Sequence, residues 1–261
     1  MKLGVVIPAA GGSTRYAAAG GLRSKLDEDL GGRPVLQRTI ELFANLESTA
    51  LIVVAAPADE YDDFIEKHGD RLGLAGVRVC RGGAEHRWQS VKNALEVIPT
   101  DCTHIAVHDA ARPCTPSELI ERMLAAAEKF PAVIPAVEVS DTLKRIGKAP
   151  ASEATPDPVE AILGKAGKTR YFPVEATVPR ERLFAVQTPQ VFEAALLRRA
   201  YAQSDLSSTD DAGLVERLGE QVVIVEGDPR NIKITRPVDL EMVRKVMGVR
   251  APEGRAVHKR F

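Results

Sequence analysis

Short apolar runs alternate with amphipathic segments along most of this chain, and no other feature narrows its possible folds as much. Val5-Val6-Ile7, Leu51–Ala56, Val77–Cys80 and His104–His108 read as strands, apolar at successive positions as buried strands are. Between them, Val35, Leu36, Thr39, Ile40 and Phe43 follow Pro34 at helical spacing. Tyr61–Lys67 reads as a short helix, and Val91, Ala94, Leu95 and Ile98 mark another with Ser90 at its start. Leu119, Ile120, Met123, Leu124 and Ala127 form the next helix, and Val133–Val139 a strand partly broken at Pro135. This order predicts an α/β fold, a mostly parallel twisted sheet with helices on both faces. Ligands of such sheets sit beyond the carboxyl ends of the strands. Three loops therefore share one rim: Ala9–Arg15, Gly82–Ser90 and Asp109–Pro113.

The alternation stops between Ile146 and Thr177, where prolines 150, 156, 158 and 173 fall in an aperiodic stretch. So long an interruption is either a disordered insertion or an arm that packs on another subunit. Thr169–Val178 has the β-branched and aromatic content of an extended arm strand, whereas Pro150–Pro158 reads as mobile. The alternation resumes with a strand at Phe184–Val186 and a helix bearing Val191, Phe192, Ala195, Leu196 and Arg199. Ser207–Asp211 reads as a hydroxyl-capped helix start. Val222–Val225 and Asn231–Thr235 read as strands, and Pro237 opens the last helix. Residues 1–247 are expected to form a single domain that includes an arm over 141–180; the basic tail, 248–261, is expected to be frayed.

The 261 residues carry a net charge of −1, which excludes a global basic field for nucleic acid or anionic membrane. No apolar run is long enough to span a bilayer, and Met1-Lys2 leads into a short strand rather than a signal peptide. Cys80, Cys102 and Cys114 are odd in number and lack C-x-x-C spacing, which suggests reduced thiols in a cytoplasmic protein. The histidines form no H-E-x-x-H, which argues against a zinc hydrolase.

After the first strand, the chain breaks at Pro8 into Ala9-Ala10-Gly11-Gly12-Ser13-Thr14, then Arg15, with Lys25 a short distance on. Small residues let a backbone approach a ligand, and glycines admit dihedrals that converge several N–H groups on one point. With an Arg and a Lys nearby, such a loop suits a polyphosphate. It is neither a P-loop nor a dinucleotide-binding turn, since G-x-x-x-x-G-K-[ST] and G-x-G-x-x-G are both absent from it.

Taken together, several segments resemble the 2-C-methyl-D-erythritol 4-phosphate cytidylyltransferases of the non-mevalonate isoprenoid pathway. They are Pro8–Gly11 with Arg15 and Lys25, Gly82-Gly83 with Arg87 and Ser90-Val91, His108–Pro113, Asp141–Arg145, Thr188–Gln190, Thr209-Asp210 and Asn231–Pro237. The resemblance covers nearly the whole chain. Three departures stand out: Ser13 where a glycine is common, an altered context for Lys25 in a lengthened loop, and a longer stretch between Arg145 and Arg180.

The resemblance implies a Rossmann-like nucleotidyltransferase fold with an arm exchanged in a homodimer. It implies transfer of CMP from CTP to 2-C-methyl-D-erythritol 4-phosphate with Mg²⁺; a related enzyme acting on ribitol 5-phosphate or another sugar phosphate is the alternative. Arg15, Lys25, Lys233 and Asp109 would be catalytic. Ala9, Ala10, Gly11, Gly12, Ser13, Gly83, Ser90, Ala110 and Thr188 would bind the nucleotide, although Ser90 has a second reading as a helix cap. Asp109, Arg112, Thr142, Arg180, Thr209 and Lys233 would bind the acceptor, Thr142 and Arg180 serving the neighbouring subunit. Arg170 and Arg182 are the other candidates for the role given to Arg180. Asp109 would also lie close to Mg²⁺. His108 reads as a packed residue rather than a base, and Trp88 as a cover for its loop.

Overall fold

The computed structural model describes residues 1–148, 152–153 and 170–251. It divides into two units, the first made of 1–137 with 186 onward and the second of 138–185. In chain order the elements are β1 (Leu3–Pro8), α1 (Thr14–Ala18), a 3₁₀ turn (Lys25–Asp27), α2 (Val35–Ala44), β2 (Thr49–Ala56), α3 (Tyr61–Leu74) and β3 (Arg78–Arg81). Then come α4 (Arg87–Val97), β4 (His104–Val107), α5 (Ser117–Ala127), β5 (Ala132–Glu138), β6 (Leu143–Ile146), β7 (Ser152–Glu153), β8 (Arg170–Tyr171) and β9 (Val174–Val178). The chain continues through β10 (Phe184–Val186), β11 (Gln190–Glu193), α6 (Ala194–Tyr201), α7 (Ala212–Arg217), β12 (Val223–Glu226) and α8 (Pro237–Val246).

The sheet of the first unit runs β5-β11-β4-β1-β2-β3, with β12 also pairing β5. β1 lies parallel between β2 and β4, and β2 parallel to β3; β11 alone of these runs antiparallel to its neighbours. The chain therefore winds one way from β1 through β2 to β3 and returns on the other side at β4. That reversal opens a crevice between the carboxyl ends of β1 and β4.

Both sheet faces are buried, which explains the unbroken apolar runs. Leu3, Val5 and Ile7 pack into one core with Leu36 and Phe43 of α2, Leu119 and Met123 of α5, and Val243 of α8. Val6 faces the other core, with Val91 and Leu95 of α4, Leu197 of α6 and Val215 of α7. Each such fully buried aliphatic side chain contributes about 1.5–3 kcal/mol, which anchors the strands that carry the rim loops. In the second unit β6 pairs antiparallel with β9, and β7 with β8.

Several elements differ from the sequence reading. α3 runs on to Leu74 because its apolar face continues: Phe64, His68 and Leu72 are all buried, and His68 Nε2 meets Asp27 at 2.9 Å. Pro135 does not break β5, since proline loses a donor but keeps its carbonyl, which accepts from Gln187 N at 2.7 Å. Pro34 caps α2 from outside rather than opening it. α7 begins only at Ala212. Its first N–H groups go to Gln190 Oε1 and Asp210 Oδ1, not to a hydroxyl of Ser207–Thr209. Asn231–Thr235 is not a strand but an irregular segment tied through side chains. The Thr169–Val178 run is broken between β8 and β9 by Phe172-Pro173. The stretch read as mobile, Pro150–Pro158, falls outside the described residues apart from β7, and so does most of the tail.

Candidate active site

β1 runs directly into Ala9–Ser13, and the loop is held at both ends. Ala9 N donates to Ala55 O at 2.8 Å, and Tyr16 N to Ser13 O at 2.9 Å. Between these ties, no described residue accepts a hydrogen bond from Ala10, Gly11 or Gly12 N–H. Neither glycine takes a left-handed conformation. That falls to Ser13, with φ 50°. A Cβ on Gly11 would meet no protein atom within 4 Å. The glycines thus keep the backbone open rather than bend it.

The loop after β3 packs against this one. A Cβ on Gly82 would lie 2.7 Å from that of Ala10 and from Ala56 O, which only glycine avoids. Ser90 Oγ accepts the Gly83 N–H at 2.9 Å from one turn inside α4. His86 is the residue that caps α4, so the reading of Ser90 as a cap is corrected. Trp88 stacks on His86, packs at the edge of the second core, and does not line the cavity between the loops.

Asp109 follows β4 across the crevice. Its N–H donates to Thr188 Oγ1 at 3.0 Å, and its Oδ2 accepts from Lys233 Nζ at 2.9 Å and Arg112 Nε at 3.1 Å. Arg87 Nε lies 3.8 Å from Oδ1. Burial pushes the carboxyl up, but Lys233, Arg87 and Arg112 together more than reverse this and hold it well below the usual carboxylate range. Arg87 is fixed from behind: its Nη1 donates to Asp211 Oδ2 at 2.8 Å, and the Tyr201 hydroxyl donates to Asp211 Oδ1 at 2.5 Å.

A cavity of about 250 Å³ lies between the three loops. Ala9, Ala10, Gly11, Gly12, Gly83, Ser90, Asp109 and Ala110 line it, and Arg15, Lys25, Arg87 and Lys233 bring cations to it. Arg15 is exposed on α1, and Lys25 is half-buried. Burial and the neighbouring Lys233 and Arg15 lower the Lys25 pKa, only partly offset by Asp109. The cations repel one another and are arranged for an anion larger than one carboxylate.

Some expected residues stand elsewhere. Thr188 is buried and its hydroxyl is committed to Asp109 N and His108, so it supports the site without lining the cavity. Arg112 is likewise buried, spent on Asp109 and on Asn231 O at 2.7 Å. Thr209 is exposed outside the cavity, and Ser13 lines an adjoining hollow instead. Thr142 and Arg180 are exposed residues of the second unit, where Arg180 donates to Ser140 O. Of the alternatives to Arg180, Arg182 has a left-handed backbone, with φ 62°. His108 is fully buried between Arg112 O and Thr188 Oγ1, and burial pushes its pKa down to about 4. Lys233 lies on the tied segment, not on a strand.

The residues given no role of their own were Arg87, Asp211 and Asn231. Arg87 and Asp211 stand 124 positions apart, and nothing local in the sequence pairs them. Asn231 is buried, donates to Thr188 O at 2.8 Å, and accepts from Thr115 Oγ1 at 2.9 Å.

Among the described residues no group of three or more His, Cys, Asp or Glu is placed to hold a metal. Asp109 Oδ1 receives no hydrogen bond from them and offers one ligand oxygen. This suits Mg²⁺, which commonly takes one or two carboxylates and completes its shell from phosphates and water.

The family model for 2-C-methyl-D-erythritol 4-phosphate cytidylyltransferase (IspD) matches residues 3–248. The enzyme of that name from Frankia casuarinae is 38% identical over 247 residues, covering 94% of this chain and 81% of that protein. Its counterpart from Acidobacterium capsulatum is 37% identical over 93% of this chain and 95% of that one. The crystal structure of the Thermus thermophilus enzyme superimposes with a TM-score of 0.68 at 33% identity, covering 95% of this chain and all of that one.

Proposed function

The chain belongs to the 2-C-methyl-D-erythritol 4-phosphate cytidylyltransferase family, and from that premise we propose how its cavity carries CMP from CTP to 2-C-methyl-D-erythritol 4-phosphate. The products are 4-diphosphocytidyl-2-C-methyl-D-erythritol and pyrophosphate, in the biosynthesis of isoprenoid precursors. The observation that supports this mechanism best is the convergence of Arg15, Lys25, Arg87 and Lys233 on one crevice lined by Ala10, Gly11 and Gly12, whose N–H groups donate to no described residue.

An oxygen of the acceptor phosphate attacks the α-phosphorus of CTP. The new P–O bond forms as the bond to the β-phosphate oxygen breaks, and pyrophosphate leaves with that electron pair. A phosphomonoester is largely dianionic at neutral pH, its second pKa being about 6, so no base is needed. That agrees with a buried, neutral His108. The work lies in holding two polyanions together and stabilising the charge that spreads at the α-phosphorus. Arg15, Lys25 and the loop N–H groups hold the triphosphate. Gly83 and Ser90 lie on the side of the cavity where the base would rest. Lys233, drawn in by Asp109, faces the reacting phosphates. Asp109 orients acceptor hydroxyls, with Arg112 and Thr188 fixing its position. Mg²⁺ bound to the CTP phosphates, with Oδ1 of Asp109 as its protein ligand, would neutralise part of their charge.

The protein acts as a cytoplasmic homodimer in this reading, Thr142 and Arg180 of each arm completing the acceptor pocket of the other subunit. No helix among the described residues is long and apolar enough to cross a membrane. Pyrophosphate release tests the reading, with CTP, UTP, ATP and GTP crossed against methylerythritol phosphate and ribitol 5-phosphate. Release with CTP and methylerythritol phosphate, abolished by EDTA and restored by Mg²⁺, is expected. Faster release with another pair would contradict it.

A further inference from the structure

Two cations of the cavity are each followed by a buried residue. Arg15 precedes Tyr16, which is 2% exposed, and Lys25 precedes Leu26, which is 5% exposed; both lie in the same core. The intervening chain is largely exposed and turns around the tyrosine. Gly21 N donates to Tyr16 O at 3.0 Å, and Gly20 takes a left-handed φ of 93° to allow the turn. The Tyr16 ring fills the place where a side chain at 21 would begin: a Cβ on Gly21 would overlap Cδ1 and Cε1 of the ring.

We propose that the Tyr16 ring seated under Gly21 is a pin that sets the position of Lys25 relative to Arg15, and so the grip on the CTP triphosphate. Both are positioning residues, since neither touches substrate. The inference rests on the reading of Arg15 and Lys25 as the triphosphate cations. Without the pin, the connection would have to be ordered anew each time CTP binds, at a cost in conformational entropy. The ring, not the hydroxyl, meets Gly21, so phenylalanine should serve in its place.

The test is steady-state kinetics of Gly21→Ala, Tyr16→Ala and Tyr16→Phe, each in the native and in a Lys25→Ala background, with unfolding midpoints measured alongside. Gly21→Ala and Tyr16→Ala are expected to lower kcat/KM for CTP roughly tenfold or more, as a misplaced binding group does. The KM for methylerythritol phosphate should stay unchanged, and Tyr16→Phe should behave as the native protein. In the Lys25→Ala background the same substitutions should have no further effect. If Tyr16→Ala fails to fold, Gly21→Ala decides alone. A full effect that persists without Lys25, or one that falls equally on both substrates, would overturn the pin. So would native kinetics of Gly21→Ala beside an impaired Lys25→Ala, which would leave the role of Lys25 standing. Native turnover of Lys25→Ala itself would overturn both.

Discussion

At the scale of single residues, Asp109 organises the site. One carboxylate draws Lys233 and Arg112 into contact and holds Arg87 nearby, cations that would otherwise separate. Arg87 comes from the start of α4 and is oriented by Asp211, whose other oxygen accepts from Tyr201. Removing Asp109 would therefore leave Arg112, which is 8% exposed, without its carboxylate partner. His108 has no such charge. Its folded pKa, about 4, lies below the unfolded value of about 6.5. The unfolded chain binds this proton first as pH falls, so the stability that His108 contributes is complete above about pH 6.5 and is lost progressively toward pH 4. Between pH 7 and 5 this residue alone should account for a loss of about 2 kcal/mol. Urea unfolding of the native protein and of His108→Gln at the two pH values measures it, and an unchanged slope in the variant would refute it. Arg15 and Asp109 were legible because each adjoins an unmistakable strand end or glycine loop, whereas Lys25, in a separate 3₁₀ turn, was marked mainly by the resemblance. Arg87 and Asp211 were not, because their meaning is a contact across the fold.

At the scale of elements, strands buried on both faces announce themselves by unbroken apolar runs, and β1, β2 and β4 were read within a few residues. The Asn231–Thr235 segment shows how that signal fails. Ile232 and Ile234 alternate with polar neighbours as strand residues do, and Ile234 is fully buried. Yet the segment's bonds run to Ala111 O from Ile234 N, to Thr188 O from the Asn231 side chain, and from Arg112 to Asn231 O. Periodicity reports burial and not where the backbone bonds go. This segment holds Lys233 against Asp109, so loosening it should cost both stability and rate. Asn231→Ala is expected to lose about 1–3 kcal/mol, because it strands Thr188 O in a buried site and leaves the Thr115 hydroxyl only its bond to Arg112 O. It should also lower kcat without greatly changing the KM for CTP. Denaturant unfolding and initial rates check the two halves separately. A stable Asn231→Ala enzyme with native kcat would show that Lys233 is placed by other contacts.

At the scale of the whole molecule, the sequence expected one domain carrying an arm over 141–180. The chain divides into a first unit that holds the cavity and a second, 138–185, that holds Thr142 and Arg180. The proposal that each arm completes a neighbour's pocket predicts complementation between two impaired variants. Lys233→Ala and Arg180→Ala subunits, mixed and allowed to exchange, should form hybrid dimers with one intact site. Random pairing then restores about a quarter of native turnover. No recovery, with exchange confirmed by mass spectrometry of tagged subunits, would place Arg180 outside the neighbour's site. Sedimentation of the native protein should show a particle of twice the chain mass. Lost periodicity marks the 141–180 stretch in the sequence, whereas its proposed contact with a neighbouring subunit came from the resemblance, because periodicity reports only what a segment buries within its own unit.

The cavity is proposed to work by holding and neutralising phosphates, with Lys233 stabilising the transition state. Single-turnover pyrophosphate release by Lys233→Ala at saturating CTP, acceptor and Mg²⁺ tests it most directly. A rate reduced by about 10²–10³ at all pH values from 7 to 9 is predicted, as for the loss of one preorganised charge. A rate within a few-fold of the native enzyme would contradict the account.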